Sequence, residues 1–173
     1  YREKHLQGDA LEQAIQAAIQ LGHEYKARLF INDHWQLAIK HQAYGVHLGQ
    51  EDLADADLLA IKQAGLRLGI STHGHYELLK ILEYRPSYLA VGAIFPTRTK
   101  DMTGQIQGLK TLGDLVPLCH DIPMVAIGGI TLGRAESVLA TGVGSIAVVT
   151  AITEADDYQA AVAGFNRIIE TGA

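Results

Sequence analysis

Basic residues are scarce in this sequence relative to acidic ones. Its 173 residues include 14 lysines and arginines against 19 aspartates and glutamates, which gives a formal net charge of -5. A protein that binds nucleic acid normally presents a basic face, so we expect no nucleic-acid partner. Cysteine is scarcer still. Because Cys119 is the one cysteine, it cannot form an internal disulfide, and we expect a small buried apolar residue rather than a nucleophile.

Long hydrophobic runs are also missing. No apolar run approaches the ~20 residues that a membrane-spanning helix needs, and no charged start followed by a short apolar stretch indicates a signal peptide. We therefore expect no membrane partner and a cytoplasmic location. No linker or low-complexity tract divides the chain, so we predict one domain over residues 1–173 with a sizeable core.

What the sequence does contain is a regular alternation of short apolar runs and amphipathic stretches. The amphipathic stretches, such as 56–65 and 132–142, read as helices that close on a glycine. The apolar runs are nearly continuous, which is typical of strands covered on both faces. These predicted strands are 28–33, 44–49, 66–71, 88–95, 123–129 and 145–152. Such βα repeats predict a parallel sheet with helices outside, either an open doubly wound sheet or a closed (β/α)8 barrel.

The position of the polar residues favours the barrel. They gather where the strands end, as in 32–33, 49–52, 71–73 and 97–100, and in a TIM barrel those ends share the face on which the βα loops build the active site. Six full strands are visible where a barrel needs eight, and the polar stub "YREK" at residues 1–4 reads as the tail of an earlier strand whose helix starts from about Asp9. We therefore expect a (β/α)8 TIM barrel without its first βα unit and most of its second strand. Its two unpaired edges predict poor stability of the isolated chain.

Two aspartates follow neighbouring predicted strands. Asp33 ends one strand and Asp52 lies just past the end of the next, so their carboxylates are expected to converge. A pair of carboxylates suits Mg²⁺, which shares its coordination with substrate phosphate oxygens, and this predicts a phosphorylated or diphosphorylated ligand. The alternative is structural, because "ND" at a strand end and "QED" before a helix are also ordinary helix-capping sequences.

Cations and hydroxyls occupy the same predicted face. Arg2, Lys4 and Lys100 supply the positive charge that a diphosphate leaving group requires. The glycines of "VAIGGI" and the segment "TAI" from Thr150 precede helices, a recurrent arrangement for binding phosphate. Among the eight histidines, His73 alone lies where a ligand would meet it, and we expect it to be structural or peripheral.

Six segments in order carry a more specific signal. The stretches "FIND", "GVHLGQEDL", "GISTH", "VGAIFPTRTK", "VAIGGI" and "GSIAVVTAI" resemble the thiamine-phosphate synthase family, in its enteric-bacterial form, from residue 1 to about residue 153. The resemblance implies a TIM barrel that joins the pyrimidine and thiazole halves of vitamin B1 with Mg²⁺. It makes Asp33 and Asp52 the Mg²⁺ ligands and Asn32 a contact of the diphosphate or the pyrimidine.

The resemblance also assigns the remaining site residues. Arg2, Lys4, Ser71 and Lys100 match the family's catalytic contacts to the pyrimidine diphosphate. Thr97 and Thr99 match the residues that hold the thiazole phosphate. The other residues implied for that phosphate site are Gly129, Val149 and Thr150, together with the variable Arg98, whose side chain is expected to matter least. Thr150 stands where serine is commoner, but its hydroxyl is kept.

The implied reaction is displacement of diphosphate from the pyrimidine methylene by the thiazole nitrogen, through a dissociative step that needs no strong base. The substrates are then a pyrimidine diphosphate and a thiazole phosphate, and a homodimer is compatible with the residues. Two alternatives stay open. A thiazole tautomerase shares the barrel but uses a histidine for proton transfer and lacks the "PTxTK" loop, and a non-catalytic phosphate-binding fragment would need no turnover at all.

Overall fold

The structure is a computed structural model that describes residues 1–99 and 106–171, and its chain forms two compact units, Tyr1–Ser71 and Thr72–Ala173. Both units alternate strands with helices, and every described strand pair is parallel. This agrees with the predicted parallel α/β class. None of the helices in the described ranges combines the length and the apolar character that crossing a bilayer requires.

The first unit consists of three parallel strands and three α-helices. The strands run in the order β1-β2-β3, with Ile31 opposite Val46 and Val46 opposite Leu68. The elements are α1 (Gly8–Glu24), β1 (Phe30–Asn32), α2 (Trp35–Lys40), β2 (Gly45–Leu48), a 3-10 helix (Asp52–Ala54), α3 (Leu58–Gln63) and β3 (Arg67–Thr72). The Tyr1 amino group donates to the Phe30 carbonyl at 2.6 Å, and Asn32 N–H donates to the Tyr1 carbonyl at 2.9 Å. Residue 1 therefore bonds along β1 as a strand tail would, although no strand is assigned there.

The second unit repeats the arrangement. Its strands follow the order β4-β5-β6, with Ala90 opposite Val125 and Ala126 opposite Ile146. The elements are α4 (His75–Ile81), β4 (Tyr88–Val91), α5 (Gly108–Leu115), β5 (Met124–Ile127), α6 (Leu132–Leu139), β6 (Ser145–Ala147), α7 (Thr150–Thr153) and α8 (Tyr158–Glu170), with 3-10 helices at Leu82–Tyr84 and Val116–Leu118.

Each unit buries its own apolar core. In the first unit, Ile15 and Ile19 of α1 pack with Ile31, Val46 and Leu48 of the strands. In the second unit the fully or nearly buried side chains include Leu78, Ile81, Leu89, Ile94, Leu112, Leu115, Val138 and Phe165. Each such side chain contributes about 1.5–3 kcal/mol relative to an exposed one. Cys119 is 7% exposed, as expected, and burial raises the pKa of its thiol.

Several predicted strands are too long. The prediction of a strand over 145–152 is wrong beyond Ala147, because residues Thr150–Thr153 form α7. Apolar residues continue past the strand end through Val148 and Val149, so periodicity does not separate the strand from the helix. The prediction over 123–129 is likewise too long, since Gly128 and Gly129 leave β5 with φ of 100° and 64°. The predicted helices 56–65 and 132–142 correspond to α3 and α6.

Candidate active site

A cluster of charged and polar side chains lies where β1 and β2 end in the first unit. We call its members, Lys4, Asn32, Asp33 and Asp52, the carboxylate cluster. Lys4 Nζ forms an ion pair with the Asp33 carboxylate, and the Lys4 side chain is 48% exposed against 16% for Asp33. The Asp33 carboxyl also hydrogen-bonds with the side chains of Asp52 and Asn32. Asp52 Oδ2 accepts a hydrogen bond from Gly49 N–H at 2.8 Å.

The backbone aims Asp33 into this cluster. Asp33 has a φ of 65°, a left-handed conformation that aspartate and asparagine tolerate better than most residues. Its N–H donates to the His47 carbonyl of β2 at 2.9 Å, and its own carbonyl accepts from Trp35 N–H at 2.8 Å. Helix α2 begins at Trp35 and its capping position is His34, so Asp33 lies one residue before that position, and its carboxyl bonds to Lys4 instead. The helix-capping interpretation is therefore wrong for Asp33.

The two aspartates differ in acidity. Burial would raise the pKa of Asp33, but the hydrogen bond and positive charge of Lys4 outweigh burial and hold that pKa below its ordinary value. Burial raises the pKa of Asp52, and the negative charge of Asp33 raises it further, against the opposing hydrogen bond from Gly49 N–H. Burial and the neighbouring charge thus favour protonation of Asp52, whereas Lys4 favours the charged form of Asp33.

This asymmetry predicts that Asp52→Asn stabilises the metal-free protein at neutral pH. A carboxyl whose pKa rises on folding contributes stability at low pH, and this stability is lost as the pH increases through its titration. Asparagine mimics the protonated form and keeps an oxygen for Gly49 N–H. We expect the variant's Tm at pH 7 to exceed that of the parent by a few degrees, in thermal unfolding followed by circular dichroism with chelator present. The difference should shrink toward the ordinary aspartate pKa of 3.8; a lower Tm for the variant at pH 7 would contradict the assignment.

The structure adds a residue that the sequence analysis did not select. His47 Nε2 lies 2.8 Å from Ser71 Oγ, and Gln50 Nε2 donates to the Ser71 carbonyl at 2.6 Å. These contacts fix both the hydroxyl and the peptide of Ser71. The contact follows from the strand register, because His47 pairs with Gly69, and Ser71 lies two residues further on the same face of β3. The spacing of the residues along the chain does not give this register.

Arg2 and His73 are not drawn into the carboxylate cluster. Arg2 is exposed, and it forms no ion pair with another described residue. His73, in the second unit, is held by Glu77, whose Oε2 lies 2.9 Å from His73 Nδ1 and accepts from His73 N–H at 2.7 Å. His73 therefore lies two residues before α4 begins at His75 and is anchored by Glu77 of that helix.

The second unit brings two loops together where β4 and β5 end. We call the contact of Phe95 and Pro96 with Gly128 and Gly129 the glycine junction. Phe95 N–H donates to the Gly128 carbonyl at 3.0 Å. A Cβ atom on Gly129 would lie 2.4 Å from the Pro96 carbonyl oxygen, so the two backbones meet at a distance that only glycine permits.

The threonines predicted to bind phosphate follow the glycine junction. Thr97 Oγ1 lies 3.3 Å from Thr99 Oγ1 and accepts from Thr99 N–H at 3.3 Å, while Arg98 between them is exposed. Val149 flanks the start of α7 and is 47% exposed, and the next residue, Thr150, is also exposed. Within the described ranges no hydrogen bond joins Val149 or Thr150 to the two threonines. Lys100 lies outside the described residues.

Comparison with known proteins adds an independent finding. The model of a family described as thiamine monophosphate synthase matches residues 1–152. The chain is 60% identical over 169 residues to a thiamine-phosphate synthase of Yersinia pseudotuberculosis, which covers 98% of this chain and 79% of the relative. It is 57% identical over 171 residues to one from Escherichia coli, covering 99% and 81%. A solved thiamine phosphate pyrophosphorylase from Pyrococcus furiosus superposes with a TM-score of 0.86 at 33% identity, over 98% of this chain and 81% of that one.

Proposed function

Because this chain belongs to the thiamine monophosphate synthase family, we propose that it couples a pyrimidine diphosphate with a thiazole phosphate to give thiamine phosphate and diphosphate. The enzyme is a transferase of thiamine biosynthesis. The observation that carries this proposal is the 57–60% identity with thiamine-phosphate synthases along nearly the whole chain. Each relative described above is a synthase, which favours the synthase over the tautomerase and over a non-catalytic fragment.

We propose a (β/α)8 barrel as the fold in which this chemistry takes place. The parallel strands in chain order and the placement of both clusters after strand ends support it. So does the superposition on the Pyrococcus furiosus structure. In such a barrel, residues that follow the strands line the face that carries the active site.

The carboxylate cluster fits a hard divalent cation. Asp33 and Asp52 are within hydrogen-bonding reach of each other. Because two negative charges at this distance repel each other, a shared proton or a shared cation stabilises the pair. Both supply the oxygen ligands that Mg²⁺ prefers. We propose that Asp33 and Asp52 hold Mg²⁺, which neutralises diphosphate charge when bound. A homodimer remains part of the proposal, and no contact described above bears on it.

The cations and polar groups nearby would hold the pyrimidine diphosphate. Lys4 is half exposed beside Asp33, so its ammonium is available to phosphate oxygens once a cation shares the carboxylate. We assign Arg2 and Lys100 to the same diphosphate, and Asn32 and Ser71 to the substrate. His47 and Gln50 fix the Ser71 hydroxyl and peptide, so Ser71 meets its ligand without rearrangement.

The thiazole phosphate would be held by the hydroxyls and backbone N–H groups of the second unit. We assign to it Thr97 and Thr99 with the intervening Arg98 backbone, Gly129, Val149 and Thr150. Uncharged donors suffice here, because this phosphate is not displaced. The thiazole nitrogen brings its own lone pair, so the protein has to position it, stabilise the departing diphosphate and exclude water, and no nucleophile–base pair is needed.

The test is direct. The purified chain, given both phosphorylated halves and Mg²⁺, should form thiamine phosphate, measured by chromatography after oxidation to a fluorescent thiochrome. Chelation of the metal should suppress product formation by at least about 100-fold, because uncompensated diphosphate charge opposes bond cleavage. Isomerisation of the thiazole phosphate without the pyrimidine diphosphate, followed by chromatography of the thiazole itself, would favour the tautomerase. No thiamine phosphate with both substrates and metal would contradict the proposed function.

A further inference from the structure

Arg134 contacts both loops of the glycine junction. It is the third residue of α6, and its Nη1 donates to the Gly129 carbonyl at 2.7 Å. Its guanidinium carbon lies 4.5 Å from the centroid of the Phe95 ring. One side chain therefore joins the loop after β4 to the loop after β5, through a charge-assisted hydrogen bond and a cation–π contact.

The hydrogen bonds at this junction determine the orientation of two peptide groups. The Gly128 carbonyl accepts from Phe95 N–H, and the Gly129 carbonyl accepts from Arg134. In a planar trans peptide the N–H points opposite to the carbonyl. Anchoring the two carbonyls thus also fixes the N–H groups of Gly129 and Ile130. In residues 1–99 and 106–171, neither N–H donates to a backbone acceptor.

Two fixed N–H groups that have no backbone acceptor among the described residues suit an anion, and they lie in the loop proposed to bind the thiazole phosphate. If these peptide groups rotated freely in the unbound protein, ligand binding would have to fix them at an entropic cost. A junction that already holds them avoids this cost. We propose that Arg134 is a positioning residue for the thiazole phosphate: it locks Gly129 and Phe95 so that both N–H groups face the phosphate. This proposal rests on the proposed function and adds to it a residue outside the phosphate contacts themselves.

Arginine is suited to this position in a way that lysine is not. Its planar guanidinium can stack on Phe95 through its face while donating through its edge to Gly129. A lysine ammonium can donate to the carbonyl but presents no planar face to the ring. Arg134→Lys should therefore retain part of the function, and Arg134→Gln should lose the charge and the stacking together.

The experiment is steady-state kinetics of thiamine phosphate formation with each substrate varied in turn. We expect Arg134→Gln to raise KM for the thiazole phosphate about tenfold, the effect of losing one hydrogen bond from a charged donor. The turnover number and KM for the pyrimidine diphosphate should change less than about twofold, and Arg134→Lys should be intermediate. Arg167→Gln, an exposed arginine on α8, is the matched control and should leave all three constants unchanged.

A double variant distinguishes positioning from a general loss of structure. Arg134→Gln and Phe95→Leu act on the same stack, so their combined effect on KM should be smaller than the product of the single effects. The inference would be overturned if the double variant showed the product of the two single effects on KM, or if KM rose equally for both substrates. An unchanged KM for the thiazole phosphate in Arg134→Gln while the parent is active would overturn it as well. An inactive parent would instead reject the proposed function and, with it, this inference.

Discussion

Asp33→Asn should lower the turnover number by about 10²–10³-fold at saturating substrates, the range seen when one electrostatic stabiliser is removed from a transition state. The variant loses the charge that pairs with Lys4 and that, with Asp52, would hold Mg²⁺. Asparagine keeps one oxygen ligand, so the Mg²⁺ concentration for half-maximal rate should rise as well. Both quantities come from release of diphosphate, followed in a coupled assay over a magnesium titration.

Asparagine is a sharper replacement here than alanine. Residue 33 has a φ of 65°, and asparagine tolerates this conformation while alanine is strained in it. Asp33→Ala would therefore combine a loss of charge with a change in the turn that leads into α2. A large effect of Asp33→Asn isolates the carboxylate.

Asp57→Asn is the matched control for Asp33→Asn. Asp57 lies in the same unit and caps α3, where its Oδ1 accepts from Ala60 N–H at 2.8 Å. Asparagine caps helices about as well as aspartate, so stability and turnover should both stay near those of the parent. A turnover number for Asp33→Asn within about threefold of the parent, with an unchanged magnesium requirement, would remove Asp33 from the metal site.

Gly129→Ala should disrupt both stability and binding of the thiazole phosphate. The added Cβ would lie 2.4 Å from the Pro96 carbonyl oxygen and 2.9 Å from that of Phe95, at a φ of 64°. Backbone oxygens cannot swing away as the end of a side chain can. We expect the free energy of unfolding to fall by roughly 2–4 kcal/mol, from overpacking and left-handed strain together. In the folded fraction, KM for the thiazole phosphate should rise more than about tenfold as the junction opens.

Gly133→Ala provides the comparison. Gly133 is four residues further along, inside α6, and a Cβ there meets nothing within 4 Å. Alanine is the better helix former, so this variant should gain up to about 1 kcal/mol. Urea denaturation of both variants, with kinetics at one temperature, measures the contrast. Equal stabilities for the two variants would show that the backbones at Gly129 have room to separate.

The sequence predicts the class of fold better than the limits of its elements. The alternation of apolar runs with helices such as α3 and α6 was sufficient for a parallel α/β arrangement, because both periods are local properties of the chain. The residues at which strands end are harder to predict. At β6 the apolar run continues from Ser145 through Ile152, yet the strand stops at Ala147 and α7 follows. The residues between the two elements, Val148 and Val149, are apolar, so no turn residue marks the boundary.

The candidate site shows a similar division. Its aspartates could be found because Asp33 directly follows β1 and Asp52 lies four residues after β2. The structure brings both close to Lys4, as adjacent strand ends require. Their roles in binding stay predictions. The contacts of His47 with Ser71 and of Arg134 with Phe95 join residues 24 and 39 positions apart. Such pairs depend on lateral register and loop packing, which spacing along the chain does not give.

The single buried thiol gives the chain an intrinsic reporter. Cys119 is 7% exposed in the second unit, and burial raises its pKa, so a thiol reagent has little thiolate to attack while that region stays closed. Modification then requires local or global opening, and its rate, compared with that of an unstructured thiol, gives the free energy of that opening. Because there is no second cysteine in the sequence, no label has to be engineered and no background has to be subtracted. The rate of thiol modification can therefore show, without any engineered label, how ligands change the local opening of this unit.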